Sequence, residues 1–402
     1  MMTGDGLLLR IRLAAGRLSL DRAEAIADCA ESFGNGIIEI SSRANLQLRG
    51  VGEAGLADLQ RRLGALGLLD EEGARNILAS PIADLDPNAI VDVAPVAAAL
   101  AEAPASAAGL PAKFSFLIDG GGALPLGDID ADIRFEALSG HDGPFFAITL
   151  GGDDHVAAQC APADVAGAAH ALTLVFQREA GKRAMRRMKA LVAQCGAASL
   201  FAAADLPFST PLAPLRRRAA PRDFLGAHAL GASTCVGAAP QFGRTTGADL
   251  RLLTRQARRR AGADIRITPW RMLLVTGLDQ NRGAELAASL AAQGFILDPA
   301  DPRLAIVACS GAPACANAAR PVQDEALEFA ACLPASDGIV LHVSGCEKGC
   351  AHARTAPFAL VARKAGYDLV VNGEASDPPS RKGLSVAEVA SLLTREFRVH
   401  QR

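Results

Sequence analysis

The sequence predicts an α+β protein of two pseudo-symmetric lobes, each a split βαβ unit followed by a larger α/β domain. Three observations predict it. The chain repeats itself, each copy alternates strand and helix patterns in the same order, and a proline-rich stretch separates the copies. The second copy follows the first by 227 residues, Gly16-Arg17 matching Gly243-Arg244 and Gly50 matching Gly277. A fixed offset of this kind marks a duplicated supersecondary unit.

Each copy justifies its elements in turn. A helical stretch runs to Phe33 in the first and to Arg260 in the second. The alternating triplets Ile38-Glu-Ile40 and Ile265-Arg-Ile267 read as half-buried strands. A second helix follows each, Gly55 to Leu66 and Gly283 to Gln293, completing a β-α-β-β-α unit. Behind the first unit come the strand Phe114–Ile118, the turn Asp119-Gly-Gly-Gly122, and one long helix from about Pro162 to Ala193. Alanine-rich residues 97–108 read as a helix with a loose end. Pro207 to Pro221 holds four prolines and Arg216-Arg-Arg218, the composition of a linker. The expected boundaries are 1–72 and 73–206 for the first lobe, 207–222 for the linker, and 223–300 and 301–402 for the second lobe.

Composition narrows the function. The 402 residues are half hydrophobic, enough for full cores, and the net charge of −2 argues against a nucleic-acid protein. No uncharged run of eighteen apolar residues occurs and no secretory order opens the chain, so a cytoplasmic protein without a membrane span is expected. Nine cysteines, an odd number, do not read as a disulfide framework. No dinucleotide fingerprint or phosphate loop is present, so electrons from NADH or NADPH are expected to arrive through a separate reductase.

Four cysteines carry chemistry. Five residues separate Cys309 from Cys315, and three separate Cys346 from Cys350, in the small-residue segments Ala-Cys-Ser-Gly-Ala-Pro-Ala-Cys and Ser-Gly-Cys-Glu-Lys-Gly-Cys. Four thiolates on two glycine-rich loops suit a [4Fe–4S] cluster, one per iron. The competing readings are zinc, which usually takes tighter spacings, and structural chance with no metal. A second polar pattern, Arg43-x-Asn45-x-Gln47-x-Arg49, alternates along a predicted strand and places all four side chains on one face. Guanidinium groups on one face fit a polycarboxylate, which arginine grips bidentately. An amphipathic edge strand would show the same alternation.

Together, the repeat and the cysteines resemble the siroheme-dependent sulfite and nitrite reductase superfamily over nearly the whole chain. Ser42-Arg-Ala-Asn-Leu-Gln-Leu-Arg-Gly50 looks like its tetrapyrrole-binding strand. Arg75-Asn-Ile-Leu-Ala-Ser-Pro81 and Leu110-Pro-Ala-Lys-Phe114 look like its anion-binding segments. Within it the chain is most similar to the precorrin-3B synthase family, by its short length, the Ser42–Gly50 form and Ser344-Gly-Cys-Glu-Lys-Gly-Cys-Ala-His352. The resemblance implies ferredoxin-like split units and nitrite/sulfite reductase-like larger domains, the second holding the cluster. It implies an oxidoreductase, a monooxygenase that hydroxylates precorrin-3A at C20 with O2 and closes a γ-lactone from the ring A acetate. A mononuclear non-haem iron, with ligands unknown, and a reductase or ferredoxin donor are implied as well. Arg43, Arg75 and Lys113 are the implied catalytic cations. Arg43, Asn45, Gln47, Arg49, Asn76, Arg244 and Arg271 are the implied substrate contacts.

One departure matters. Where sulfite reductases typically have a second lysine two places after the first, this chain has Ser115, so one cation of an oxyanion-reducing pocket is missing. The rival readings are a nitrite or sulfite reductase with bound siroheme and a non-catalytic carrier of a tetrapyrrole or cluster. Trp270 is placed either to stack on a macrocycle or to plug the core. Arg251, Arg255, Arg258 and Arg259 read as a solvated helix face, and His342 and His352 as satisfied structural histidines.

Overall fold

The computed structural model describes residues 1–69, 76–103, 110–211, 215–217 and 220–399. The α+β class is as expected. Two five-stranded sheets sit at the centre, and each takes its last strand from the other half of the chain. The first runs Met2–Thr3, Gly6–Ile11, Leu46–Val51, Ile37–Ile40, Arg244–Thr246. The second runs Gly226–Leu230, Ser233–Ala238, Leu273–Leu278, Asp264–Ile267, Arg17–Ser19.

Local chemistry makes this exchange. Ala15 and Phe242 have φ of 51° and 53°, followed by Gly16 and Gly243 at 68° and 75°. These left-handed pairs turn the chain out of its own sheet. At Gly16 a Cβ would meet the Ile267 carbonyl oxygen at 2.3 Å, so no larger residue fits. After three extended residues each strand ends at a helix cap. The Ser19 side chain accepts the Arg22 N–H ahead of helix Leu20–Phe33, and Thr246 forms a capping box with Asp249 ahead of helix Gly247–Arg259. Leu18, on one exchanged strand, is buried in a core shared by both halves, with Ile38, Leu48, Leu253 and Ile265.

The two capped helices pack together. Arg251 reaches Asp28 and Glu31, and Arg258 reaches Asp21 and Glu24. The arginines expected to face solvent therefore include two that bridge the helices. Such surface pairs contribute well under about 1 kcal/mol each and mainly fix orientation.

The larger domains repeat one strand pattern. In the first, Asn76–Ala79 runs parallel to Ser115–Asp119 and that to Ile133–Gly140; Gly143–Leu150 and Asp153–Cys160 continue antiparallel. In the second, Ile306–Ala308, Leu341–Ser344, Ala356–Arg363, Gly366–Gly373 and Arg381–Leu384 follow the same scheme. The expected long helix is broken. It forms as Val165–Gly181 and Met188–Cys195, because Ala184 takes φ of 53° and buried Asp132 captures the Met188 N–H and the Arg187 side chain. Residues 97–108 give a helix over Val93–Glu102 only, and 104–109 lie outside the described residues. Within the expected linker, Phe208–Ser209 pairs as an edge strand and Leu215 is buried.

His342 lies in Leu341–Ser344, parallel to the register position that Leu117 holds in the first lobe. It is fully buried, and neither ring nitrogen has a partner among the described residues. Burial pushes its pKa down to about 4, and the neighbouring His352 adds to this. The expectation of a satisfied histidine is thus replaced by a neutral, unpaired one.

Leu18→Ala should destabilise the fold by about 2–5 kcal/mol, since the strand it anchors has no other apolar plug; urea unfolding reads this directly. His342 binds its proton more weakly folded than unfolded, so its stability contribution is complete above pH 6.5 and is lost as pH falls toward 4. Lowering pH from 7.5 to 5 should lower stability by about 2 kcal/mol through this group. His342→Leu should abolish that part of the slope and raise stability at pH 5.

Candidate functional site

Both cysteine loops leave the same edge of the C-terminal sheet. Ile306–Ala308 and Leu341–Ser344 are parallel neighbours, so the loops that follow them emerge side by side at their carboxyl ends. Small residues let the loops close. The Gly345 N–H donates to Cys309 Sγ at 3.1 Å, and the Ala319 N–H donates to the Gly345 carbonyl at 3.1 Å. A Cβ at Gly345 would lie 2.5 Å from Ala318 Cβ and 3.2 Å from Cys309 Sγ, so glycine is required there.

Cys309, Cys315, Cys346 and Cys350 all line one cavity of about 670 Å³. Burial raises the Cys309 pKa, and the nearby Cys315 and Cys346 raise it further, against the pull of the Gly345 and Gly311 amides. Thiols gathered this way repel as thiolates until a cationic core binds them, which is the donor set an iron–sulfur cluster needs. The residues present therefore fit the cluster. Among the described residues no three His, Cys, Asp or Glu side chains converge as ligands of a single ion do. Asp154, next to His155 on strand Asp153–Cys160, is paired with Arg216.

In the first lobe a serine stands where Cys309 stands in the second. Ser80 follows strand Asn76–Ala79 as Cys309 follows Ile306–Ala308, and its Oγ accepts the Gly120 N–H at 3.0 Å. The same backbone donor meets oxygen in one lobe and sulfur in the other.

A polar sheet face forms the opposite wall. Register sets Arg10 beside Gln47, Gln47 beside Glu39, and Glu39 beside Arg244. Glu39 is the hub: it accepts from Arg244 at 2.9 Å, Ser310 at 2.9 Å and Arg49 at 3.1 Å. Gln47, Arg49 and Arg271 line the cavity with the cysteines. Arg271 takes φ of 62° and packs its stem on Gly243; burial lowers its pKa and Glu39 opposes that.

The expected four-residue alternation is shorter than the sequence suggested. The strand is Leu46–Val51, so Gln47 and Arg49 share its face, but Ala44 at φ 53° makes a turn before it. Arg43 is thereby sent elsewhere, among Arg187, Arg10 and Arg12, which with burial lower its pKa, while Asp132 raises it. Asn45 is buried in the turn. Asn76 is buried and tied: it accepts from Arg12 at 3.1 Å and donates to the Ala112 and Phe114 carbonyls. Lys113 is exposed beside that segment. Arg75 lies outside the described residues. Arg10, Arg12 and Arg187 were missed because Leu-Leu-Leu-Arg-Ile-Arg reads as any amphipathic strand and Arg187 sits in a charge run. Trp270 donates to Asp128 and packs against two core clusters, which favours the plug.

The comparisons agree with this architecture. The nitrite/sulfite reductase ferredoxin-like half domain matches residues 1–66, and the nitrite and sulphite reductase 4Fe-4S domain matches residues 71–212. The latter match falls on the lobe that carries Ser80, not on the lobe with the four cysteines, as the shared strand pattern allows. The structure of Mycobacterium tuberculosis NirA superimposes with a TM-score of 0.78 at 21% identity, covering 97% of this chain and 80% of that one, a likeness of fold. A ferredoxin–nitrite reductase of Synechococcus elongatus is 27% identical over 91% of this chain and 78% of its own length. A precorrin-3B synthase of Sinorhizobium is 35% identical over 94% of this chain and 82% of its own length. The chain therefore belongs to the precorrin-3B synthase family of oxidoreductases, within the nitrite and sulfite reductase superfamily.

Proposed function

We propose that the cleft between the polar sheet and the cysteine loops binds precorrin-3A and directs oxygen from O2 to its C20, after which the ring A acetate closes a γ-lactone. The observation that supports this best is a single cavity lined by the four thiols and by the polar residues Glu39, Gln47, Arg49 and Arg271. One oxygen atom of O2 enters the macrocycle and the other leaves as water, which takes two electrons and two protons. A ferredoxin or an NAD(P)H-linked reductase supplies the electrons. A [4Fe–4S] cluster held by Cys309, Cys315, Cys346 and Cys350 supplies one-electron transfer when bound.

The chain's own residues bind and orient. Arg43 lies close enough to Arg187, Arg10 and Arg12 to be repelled by them, and close enough to Asp132 to be attracted. Such a group favours carboxylate arms of a macrocycle, each able to take a bidentate contact. In the reading proposed, Arg75 and Lys113 are further cations that act on the substrate, as the resemblance implies. Arg271 and Gln47 face the same cavity as the cluster loops, and so orient the ring between cations and cluster. The Ser115 position supplies no cation: it is buried, and its amide donates to Asp132. That weighs against reduction of a dianion such as sulfite.

The test is the absorption spectrum of anaerobically purified protein, followed by acid-acetone extraction. An iron–sulfur shoulder without extractable macrocycle, and turnover of precorrin-3A with O2 and reductant, is expected. Extractable siroheme would instead make this a nitrite or sulfite reductase. Cys346→Ser should lose the shoulder and the turnover while the first lobe stays folded by circular dichroism. Arg10→Gln or Arg187→Gln should raise KM for precorrin-3A roughly tenfold with kcat little changed, as expected for loss of one charge-assisted contact.

A further inference from the structure

We propose that Arg49 is a positioning residue that holds the cysteine loop against the substrate-binding sheet, and is not a contact to substrate. The proposal rests on the functional reading above. Arg49 shares its strand face with cavity-lining Gln47, yet its side chain is only 4% exposed.

Its donors are all committed. Nε and Nη2 grip Asp5 as a fork, at 3.1 and 2.9 Å. Nη1 donates to Glu39 at 3.1 Å and to Ser310 Oγ at 3.3 Å. Nη2 donates again to the Ala314 carbonyl at 2.5 Å. A guanidinium has five N–H donors, and five bonds are made. None is left for a carboxylate arm.

Two of the acceptors stand next to cluster cysteines in the chain, Ser310 after Cys309 and Ala314 before Cys315. A third, Asp5, lies in the N-terminal hairpin, which seats on the same loop: the Gly4 N–H donates to the Ala314 carbonyl at 3.1 Å, and a Cβ at Gly4 would lie 2.3 Å from the Pro313 oxygen. Glu39 closes the network through Arg244, which also donates to the Ser310 carbonyl at 3.3 Å. One buried guanidinium therefore joins the hairpin, the sheet and the loop with two of the four thiols. A lysine presents a point charge with three donors and cannot reproduce the fork.

The experiment compares Arg49→Lys, Arg49→Gln and Ser310→Ala in the full chain, after reconstitution with iron and sulfide. Ser310→Ala removes one hydroxyl and guards against a folding failure of the arginine variants. The expected result is an altered electron paramagnetic resonance line shape of the reduced cluster in every folded variant. Iron content should be retained in Ser310→Ala, kcat should fall on the order of tenfold to a hundredfold in the arginine variants, and KM should stay within about twofold. A raised KM with kcat and line shape unchanged would make Arg49 a substrate contact and overturn the proposal. So would a lower melting temperature with unchanged line shape and kinetics. A wild-type protein that shows no cluster resonance would overturn the functional reading itself, and this proposal with it.

Discussion

The exchange of edge strands between the two central sheets is the constraint on which the rest of the molecule depends. Each sheet is incomplete without three residues from the other half of the chain. The exchange makes one core of two repeats, with Leu18 and Ile265 beside Ile38 and Leu48. It also does electrostatic work. The strand Arg244–Thr246 enters the first sheet next to Ile37–Ile40, so Arg244 is set opposite Glu39. Both then reach Ser310, in the cysteine loop of the second lobe. A cleft with polar sheet on one side and thiols on the other follows from that placement.

The duplication is symmetric in backbone and asymmetric in charge. At the place of Glu39 the second sheet has Arg266, and at the place of Arg244 it has Arg17. Arg266 is neutralised by Asp84 and Asp264, and Arg17 by the same two carboxylates. These cations are thus satisfied within the protein, 3% exposed in the case of Arg266. Their counterparts in the first sheet, Glu39 and Arg244, are turned instead toward the cysteine loop through Ser310.

Much of the fold was legible in the sequence because periodicity survives duplication. The 227-residue offset, the triplets around Ile38 and Ile265, and the helices after Gly16 and Gly243 all report local structure, which a single chain encodes locally. Strand exchange left no such trace, since periodicity says that Arg17–Ser19 is extended but not which sheet it joins. The cysteine spacing gave the cluster loops because thiolate ligands tolerate few spacings. The placement of Arg43 and the pairing of Arg49 were hidden for different reasons. Alanine at 44 gives no signal of positive φ, so the turn that redirects Arg43 was hidden. Arg49 looked like a free cation because its partners Asp5 and Ala314 are distant in sequence, the latter by 265 residues.

The same logic explains why a match to an iron–sulfur domain can fall on a lobe without ligands. What the two larger domains share is a register: two parallel strands ending side by side, a glycine after the second, and its amide aimed at the residue after the first. With serine at that residue, the amide satisfies an oxygen and the site is complete at Ser80, which is buried and also donates to Asp119. With cysteine, the amide leaves sulfur with capacity for metal, and burial among other thiols makes the free thiolate costly. Sulfur in place of oxygen here, together with Cys315, Cys346 and Cys350, separates a group of four thiols in one lobe from a closed hydrogen-bond network in the other. The surrounding strands need not differ, and for that reason the backbone pattern alone does not reveal which lobe has the four thiols.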